Sequence, residues 1–212
     1  METAVQNLVL QISKLVIELM KIVIINYGAG NIQSIKFAIK RLGYDAVLSN
    51  NVNEIQNADK VIFPGVGEAS SAMDKLRDSG LDSIISALKQ PVLGICLGMQ
   101  LMCKSSEEGA TKGLGVFDVD VVKFSSTVKV PQIGWNQITN LKSPLFEGID
   151  EKEHIYLVHS FYAPVCNETI ASCEYDVSYS AALHKGNFYG TQFHPEKSSD
   201  VGERILSNFL NM

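Results

Sequence analysis

Between Lys21 and Cys103, four short apolar runs alternate with stretches of helical period, and this alternation constrains the fold of the 212-residue chain more than any other feature. Lys21-Ile-Val-Ile-Ile-Asn26 is β-branched and leads into Tyr27-Gly-Ala-Gly-Asn31. Ala46-Val-Leu48 and Lys60-Val-Ile-Phe63 follow, the second ending in Pro64-Gly-Val-Gly67. Pro91-Val-Leu-Gly-Ile95 is the fourth, with Cys96 at its end. Each reads as a short strand. Between them, Ile32, Ile35, Phe37, Ala38 and Leu42 predict the apolar face of a helix with Asn31 as its N-cap and Gly43 as its stop. Helical spacing returns over 69–77, 81–88 and 97–103. Strands joined through helices demand a mostly parallel sheet covered on both faces, an α/β architecture.

The texture changes after about residue 114. Residues 116–124, 132–138, 154–158, 171–175, 181–183 and 188–192 are strand-like with few helical windows, which predicts an antiparallel or mixed second half. The chain closes on an amphipathic helix over 201–210, with Asp200 as its cap. No Pro/Ser-rich linker or repeat divides it, so one domain is expected.

Apolar residues at 46% and charged residues at 19% suit a globular core and exclude a disordered chain. A net charge of −5 offers no footprint for nucleic acid. Cys96, Cys103, Cys166 and Cys173 form no CxxC pair, which argues against a zinc ribbon or a disulfide scaffold and for a reducing, cytoplasmic setting. No metal site and no cofactor is expected. The first 19 residues carry an apolar stripe at Val5, Leu8, Val9, Ile12, Leu15, Val16 and Leu19, interrupted by Lys14 and Glu18. The stripe lacks the charge-free length of about 20 residues that a membrane span requires, and it has neither a basic leader nor a cleavage site.

Gly94-Ile-Cys-Leu-Gly98 has the form of a nucleophile elbow, lying between a strand and a helix. A nucleophile on so sharp a turn needs neighbours without Cβ. The helix that follows aims its N-terminal N–H groups at the sulfur, and Leu97 N–H would face the oxygen of an attacked carbonyl. The alternative is a buried cysteine between two packing glycines. A thiol nucleophile also requires a base, from among His154, His159, His184 and His194. His194 lies in Gln192-Phe-His-Pro-Glu196, and residues two apart in extended chain point the same way, so Glu196 is expected to orient the imidazole. His154 and His184 read as ordinary packed or solvated side chains, while His159, beside Ser160, stays open. Pro64-Gly-Val-Gly67 belongs on the same carboxyl edge of the sheet, where its backbone suits an oxyanion hole or a plain turn. Gly28 and Gly30 start no dinucleotide fingerprint, because the third glycine would fall at Gln33.

Gly94-Ile-Cys-Leu-Gly-Met-Gln100 together with Phe193-His-Pro-Glu196 resembles the triad-type (class I) glutamine amidotransferases. Asn26–Asn31, Pro64–Gly67, Pro131-Gln-Ile-Gly-Trp-Asn136 and His194–Ser198 are similar to the branch that serves as glutaminase subunits of imidazole glycerol phosphate synthases. The resemblance runs from about Met20 to the C-terminus. It implies an open, flavodoxin-like sheet flanked by helices and a Cys96–His194–Glu196 triad that hydrolyses glutamine. It further implies an oxyanion hole from Gly65, Val66, Gly67 and Leu97, with glutamine held by Gln100, Glu108, Ser160 and Phe161. Many family members carry Tyr where Phe161 stands. The implied partner is a (β/α)₈-barrel cyclase that forms a heterodimer with this chain and receives the ammonia, and Asn31 and Trp135 match segments facing it. For Trp135 a packed core indole is the alternative. Family members begin near the Met20 strand, so residues 1–19 read as an extension, as a misassigned start or as a surface helix, apart from a catalytic domain over 20–212.

Two further functions compete. One is a glutaminase serving a different partner, in anthranilate, aminodeoxychorismate or pyridoxal phosphate synthesis. The other is a silent binding subunit that keeps only the fold, and a cysteine peptidase on a related sheet is weaker still.

Overall fold

The computed structural model describes residues 20–28 and 30–212, and the reading of residues 1–19 as an extension falls outside them. The first half runs β1 (Ile22–Ile25), α1 (Ile32–Arg41), β2 (Ala46–Ser49), α2 (Val52–Gln56), β3 (Lys60–Phe63), α3 (Ala69–Asp78), α4 (Leu81–Ala87), β4 (Val92–Ile95) and α5 (Leu97–Met102). The second half adds short strands β5 (Cys103–Ser106), β6 (Thr111–Lys112), β7 (Phe117–Lys123) and β8 (Gln132–Gln137). These lead to β9 (His154–His159), β10 (Phe161–Tyr162), β11 (Thr169–Glu174), β12 (Ser178–Lys185), β13 (Phe188–Thr191) and α6 (Ser199–Leu210).

Seven strands form the central sheet in the order β11-β12-β13-β4-β3-β1-β2. The five from β13 to β2 are mutually parallel, while at one edge β12 pairs antiparallel with β13 and β11 antiparallel with β12. The expected mostly parallel, mixed α/β sheet is what the chain forms. A second sheet, β10-β7-β5-β6, and the β8–β9 hairpin account for the antiparallel character of the second half.

Strands β1, β3 and β4 are buried at every position, as their uninterrupted apolar runs require. On one face Ile22, Ile24, Ile62 and Leu93 meet Ile35 and Ile39 of α1 and Ile205 and Phe209 of α6. On the other, Val23, Ile25, Val61 and Phe63 meet Met73 and Leu76 of α3 and Met99 of α5.

Several local expectations are corrected. Phe37 is 63% exposed and does not belong to the buried stripe, which runs through Ile35, Ala38 and Ile39. Asn31 occupies the N-cap of α1 but makes no side-chain capping bond. The cap would contribute about 1 kcal/mol, whereas burying Ile35 and Ile39 contributes about 1.5–3 kcal/mol each, so packing holds the helix. Gly43 lies just past it at φ 90, the conformation of a helix stop. Asp200 does not cap α6, which starts two residues earlier than expected, at Ser199, with Ser198 at its N-cap. Cys103 does not end α5 but opens β5, because it pairs with Phe117 across to β7.

Candidate active site

Cys96 stands at the N-cap of α5 with φ 54 and ψ −112, a conformation that a non-glycine residue adopts at a cost of order 1–3 kcal/mol. Its environment holds it there. The Cys96 N–H donates to the Thr191 carbonyl at 2.7 Å, and the Cys96 carbonyl accepts from Gln100 N–H at 3.2 Å. The flanking glycines are there for close approach. A Cβ on Gly98 would lie 2.0 Å from the Phe63 carbonyl oxygen, and one on Gly94 would meet Met102 at 2.3 Å and the Met99 nitrogen at 2.9 Å. The sulfur is thereby pushed to the carboxyl edge of the sheet at the start of a helix, where positive dipole ends favour negative charge.

His194 comes from the end of β13. Its Nδ1 lies 2.9 Å from Glu196 Oε1, and both side chains are buried. Extended chain does not bring them together, contrary to expectation. Pro195–Lys197 is a turn of 3₁₀-helix, and the chain folds back on the ring. With Nδ1 engaged by the carboxylate, Nε2 is the free nitrogen. It has no hydrogen-bond partner and lines the same cavity as Cys96. Burial works against a charged ring here, but the neighbouring Cys96 and the Glu196 carboxylate outweigh it and raise the imidazole pKa to about 10. The ring's backbone is fixed as well. His194 N–H donates to the Tyr156 carbonyl at 3.0 Å, while Ser198 Oγ donates to the His194 carbonyl at 2.7 Å and accepts from Tyr156 N–H at 3.0 Å.

A cavity of about 390 Å³ opens over the sulfur, with room for a single amino acid. Val66, Gly67, Leu97, Gln100, Glu108, Ser160 and Phe161 line it alongside Cys96 and His194, so most of the expected site residues converge. Gly65 does not line it. A Cβ there would fall 2.5 Å from Gly98 N, so Gly65 lets the 64–67 loop lie against α5. Glu108 reaches the wall by accepting Ala69 N–H at 2.9 Å. Burial raises its pKa, the Ala69 N–H pulls it back, and the Glu68 charge adds to the rise. Gln100 directs its amide nitrogen to the Phe161 carbonyl and to Gln192 Oε1, both at 2.8 Å.

His159 also lines the cavity but is not placed as a base. Its Nδ1 is bonded to the Phe161 carbonyl at 2.8 Å, its Nε2 is 3.3 Å from the Tyr179 hydroxyl, and burial lowers its pKa to about 4. His184 stacks on Tyr189 and His154 is exposed, both away from the sulfur. The sequence reading missed Gln192, whose Nε2 lies 3.8 Å from Cys96 Sγ, and Val158, whose carbonyl lies 3.9 Å from it. The signal for Gln192 was available. It sits two residues before His194, directly after β13 brings the chain to the Cys96 edge of the sheet.

Asn31 and Trp135 lie outside the cavity. Trp135 is not core: it is 52% exposed on β8, with exposed Ile133 two residues before it. Its ring meets Tyr156 edge-on across the hairpin at 6.0 Å. Among the described residues no His/Cys/Asp/Glu group is placed to hold a metal ion, and no helix is long and apolar enough to cross a membrane.

Residues 23–212 match the family model for glutamine amidotransferase class-I. The imidazole glycerol phosphate synthase subunit HisH of Bacteroides thetaiotaomicron is 56% identical over 196 residues, covering 91% of this chain and 100% of that protein. The subunit of the same description from Vibrio vulnificus strain YJ016, HisH 1, is 46% identical over 200 residues, covering 91% of this chain and 98% of that protein. Among solved structures, a glutamine amidotransferase superposes with a TM-score of 0.70 at 19% identity, over 89% of this chain and 97% of that one. PurLQS from Thermotoga maritima gives 0.69 at 16% identity, over 91% and 98%. At those identities the structural likeness speaks to the fold alone.

Proposed function

The chain belongs to the class I glutamine amidotransferases, and from that premise we propose that Cys96, His194 and Glu196 are its catalytic triad. Its activity is that of the glutamine amidotransferase subunit of an imidazole glycerol phosphate synthase, releasing ammonia from glutamine in histidine biosynthesis. The observation that carries the triad is the buried Nε2 of His194, left without a hydrogen-bond partner in the cavity it shares with Cys96 while Glu196 engages Nδ1.

The reaction follows from that geometry. His194, whose raised pKa favours the imidazolium, holds the proton drawn from the thiol, and Cys96 Sγ bonds to the γ-carbonyl carbon of glutamine. The oxygen gains a negative charge within reach of Leu97 N–H and the Val66–Gly67 backbone. Collapse of this intermediate breaks the C–N bond, and the His194 proton leaves with the nitrogen as ammonia. Water, giving a proton to His194, then attacks the thioester and releases glutamate, and the thiol is restored. Glu108 offers a carboxylate to the α-amino group, and the Ser160–Phe161 segment lies within reach of the α-carboxyl end. Phe161 contributes backbone and ring where relatives with Tyr add a hydroxyl.

Ammonia released into water at pH 7 would be protonated and lose its nucleophilicity. Delivery through a protected path to a (β/α)₈-barrel cyclase subunit, in a heterodimer, avoids that loss. The exposed pair Ile133 and Trp135 supports the β8–β9 hairpin as part of the docking face, with Asn31 contributing from the start of α1. The Tyr156–His194–Ser198 bonds tie that hairpin to the base. The family match over 23–212 supports a catalytic domain spanning 20–212, with residues 1–19 as an extension. Four free thiols support a reducing, cytoplasmic location.

The test is to co-purify the chain with the barrel subunit and measure glutamate release with and without the cyclase's nucleotide ligand. Complex formation with stimulated release is expected, and no complex with no stimulation would remove the reading. Cys96→Ala should abolish glutamate release while ammonia-dependent synthesis by the complex continues.

A further inference from the structure

Behind the nucleophile lies a run of buried polar groups that the reaction steps do not use. Gln192 is fully buried just past the end of β13, two residues before His194. Its Nε2 lies 3.8 Å from Cys96 Sγ, and its Oε1 accepts from Gln100 Nε2 at 2.8 Å. The same Gln100 nitrogen donates to the Phe161 carbonyl, which also accepts from His159 Nδ1. His159 Nε2 meets the Tyr179 hydroxyl at 3.3 Å, and that hydroxyl lies 3.0 Å from Gln132 Oε1 at the start of β8. A glutamine side chain in an apolar core is costly unless its amide is bonded, so a fully buried one with partners at both ends is held in one orientation.

The directions of these bonds follow from the atoms. The Phe161 carbonyl only accepts, so the facing His159 Nδ1 carries its hydrogen, while the Tyr179 hydroxyl gives its one proton to Gln132 Oε1 and lies against the unprotonated His159 Nε2. Gln100 spends its two amide hydrogens on the Phe161 carbonyl and on Gln192 Oε1. That leaves Gln192 with Nε2–H groups to donate, and the Cys96 sulfur is the acceptor they face. Sulfur accepts weakly as a thiol and far better as a thiolate, so the contact strengthens when the nucleophile loses its proton.

We propose that Gln192 is a positioning residue that donates a hydrogen bond to the Cys96 sulfur and fixes it relative to the substrate wall formed by Gln100 and Phe161. Tyr179 and His159 brace the far side of that wall by holding the Phe161 carbonyl. This rests on Cys96 being the nucleophile, and the two assignments fail separately.

Gln192→Met matches the side chain in length and supplies no donor. In the complex with the cyclase subunit, kcat for glutamate release should fall about tenfold or more while KM stays within about threefold, because the lost bond acts on the nucleophile and not on bound glutamine. Alkylation of Cys96 by iodoacetamide in the isolated subunit should slow by a similar factor, a readout independent of substrate binding. Tyr179→Phe removes only the distal hydroxyl and should give a smaller fall in kcat with the same pattern. If Gln192→Met keeps wild-type kcat and alkylation rate while Cys96→Ala is inactive, this role is overturned and the nucleophile stands. Activity in Cys96→Ala would overturn both. A fall in alkylation and kcat together with unchanged KM supports the role, whereas a rise in KM alone would place Gln192 in substrate binding and overturn it.

Discussion

Glu196 Oε1 lies 2.9 Å from His194 Nδ1 across a single intervening proline, because residues 195–197 turn back as 3₁₀-helix instead of continuing the strand. The same turn leaves the His194 carbonyl to Ser198 and the His194 N–H to Tyr156. Ring, carboxylate and backbone are therefore set by one short segment, which leaves Nε2 free in the cavity that Cys96 also lines.

Replacing Glu196 by Gln preserves the size of this contact and removes its charge. The amide can present an N–H to Nδ1, which reverses the tautomer and places a hydrogen where Nε2 must accept one. By analogy with other triads, kcat for glutamate release should drop on the order of a thousandfold or more with little change in KM. Steady-state kinetics of the complex check this, and a loss below tenfold would remove Glu196 as the orienting group.

Gly98→Ala tests the packing beneath the nucleophile. The added Cβ would sit 2.0 Å from the Phe63 carbonyl oxygen, a backbone atom of a central strand that cannot rotate away. The variant should lose about 3 kcal/mol of stability or displace α5, with glutaminase activity falling in parallel. Denaturant midpoints measure the first effect, and a midpoint equal to wild type would show that the close approach is relieved without cost.

Burial lowers the His159 pKa to about 4, against an ordinary value near 6.5 in the unfolded chain. Between these values the unfolded chain binds the extra proton and the folded chain does not. Stability from this residue is complete above pH 6.5 and falls as pH drops through the window, by on the order of 3 kcal/mol. His194 has the opposite sign. Its pKa is raised to about 10, so its contribution is present at low pH and fades as pH rises from 6.5 toward that value. In denaturant titrations from pH 4 to 6.5, His159→Gln should show a flatter profile than wild type, and parallel profiles would contradict the buried neutral ring.

Trp135→Ala separates docking from folding. Half of the residue is in solvent and its ring touches Tyr156 only edge-on, so the isolated subunit should melt within a few degrees of wild type. An aromatic anchor at the centre of an interface contributes about 2 kcal/mol or more, so the dissociation constant for the cyclase subunit should rise about thirtyfold. Titration calorimetry measures it, and unchanged affinity would move the docking face elsewhere.

The strands of the first half were legible because β1, β3 and β4 are buried on both faces, which leaves a continuous apolar run that nothing else explains. Cys103–Ser106 was not legible as a strand, since Cys-Lys-Ser-Ser has no such pattern and becomes one only by pairing with β7. Phe37 misled for the opposite reason: it falls near the helical stripe in sequence but on the solvent side of the folded helix.

The amino-acid order alone pointed to Cys96 and its strand–turn–helix setting through the Gly94-x-Cys-x-Gly98 spacing, although the room left at Gly98 is for the Phe63 carbonyl of a neighbouring strand. It also determined the parallel sheet, through the alternation of strand and helix. Which histidine is placed to serve as the proposed base depends on tertiary structure. His159 and His194 both reach the cavity, but burial holds one neutral despite the opposing pull of the Phe161 carbonyl, while a carboxylate and a thiol favour charge on the other. Tertiary structure likewise carried Gln192, Gln100 and the Phe161 carbonyl into one bonded set, from three segments far apart in the chain. Protonation and hydrogen bonding depend on neighbours that only folding supplies.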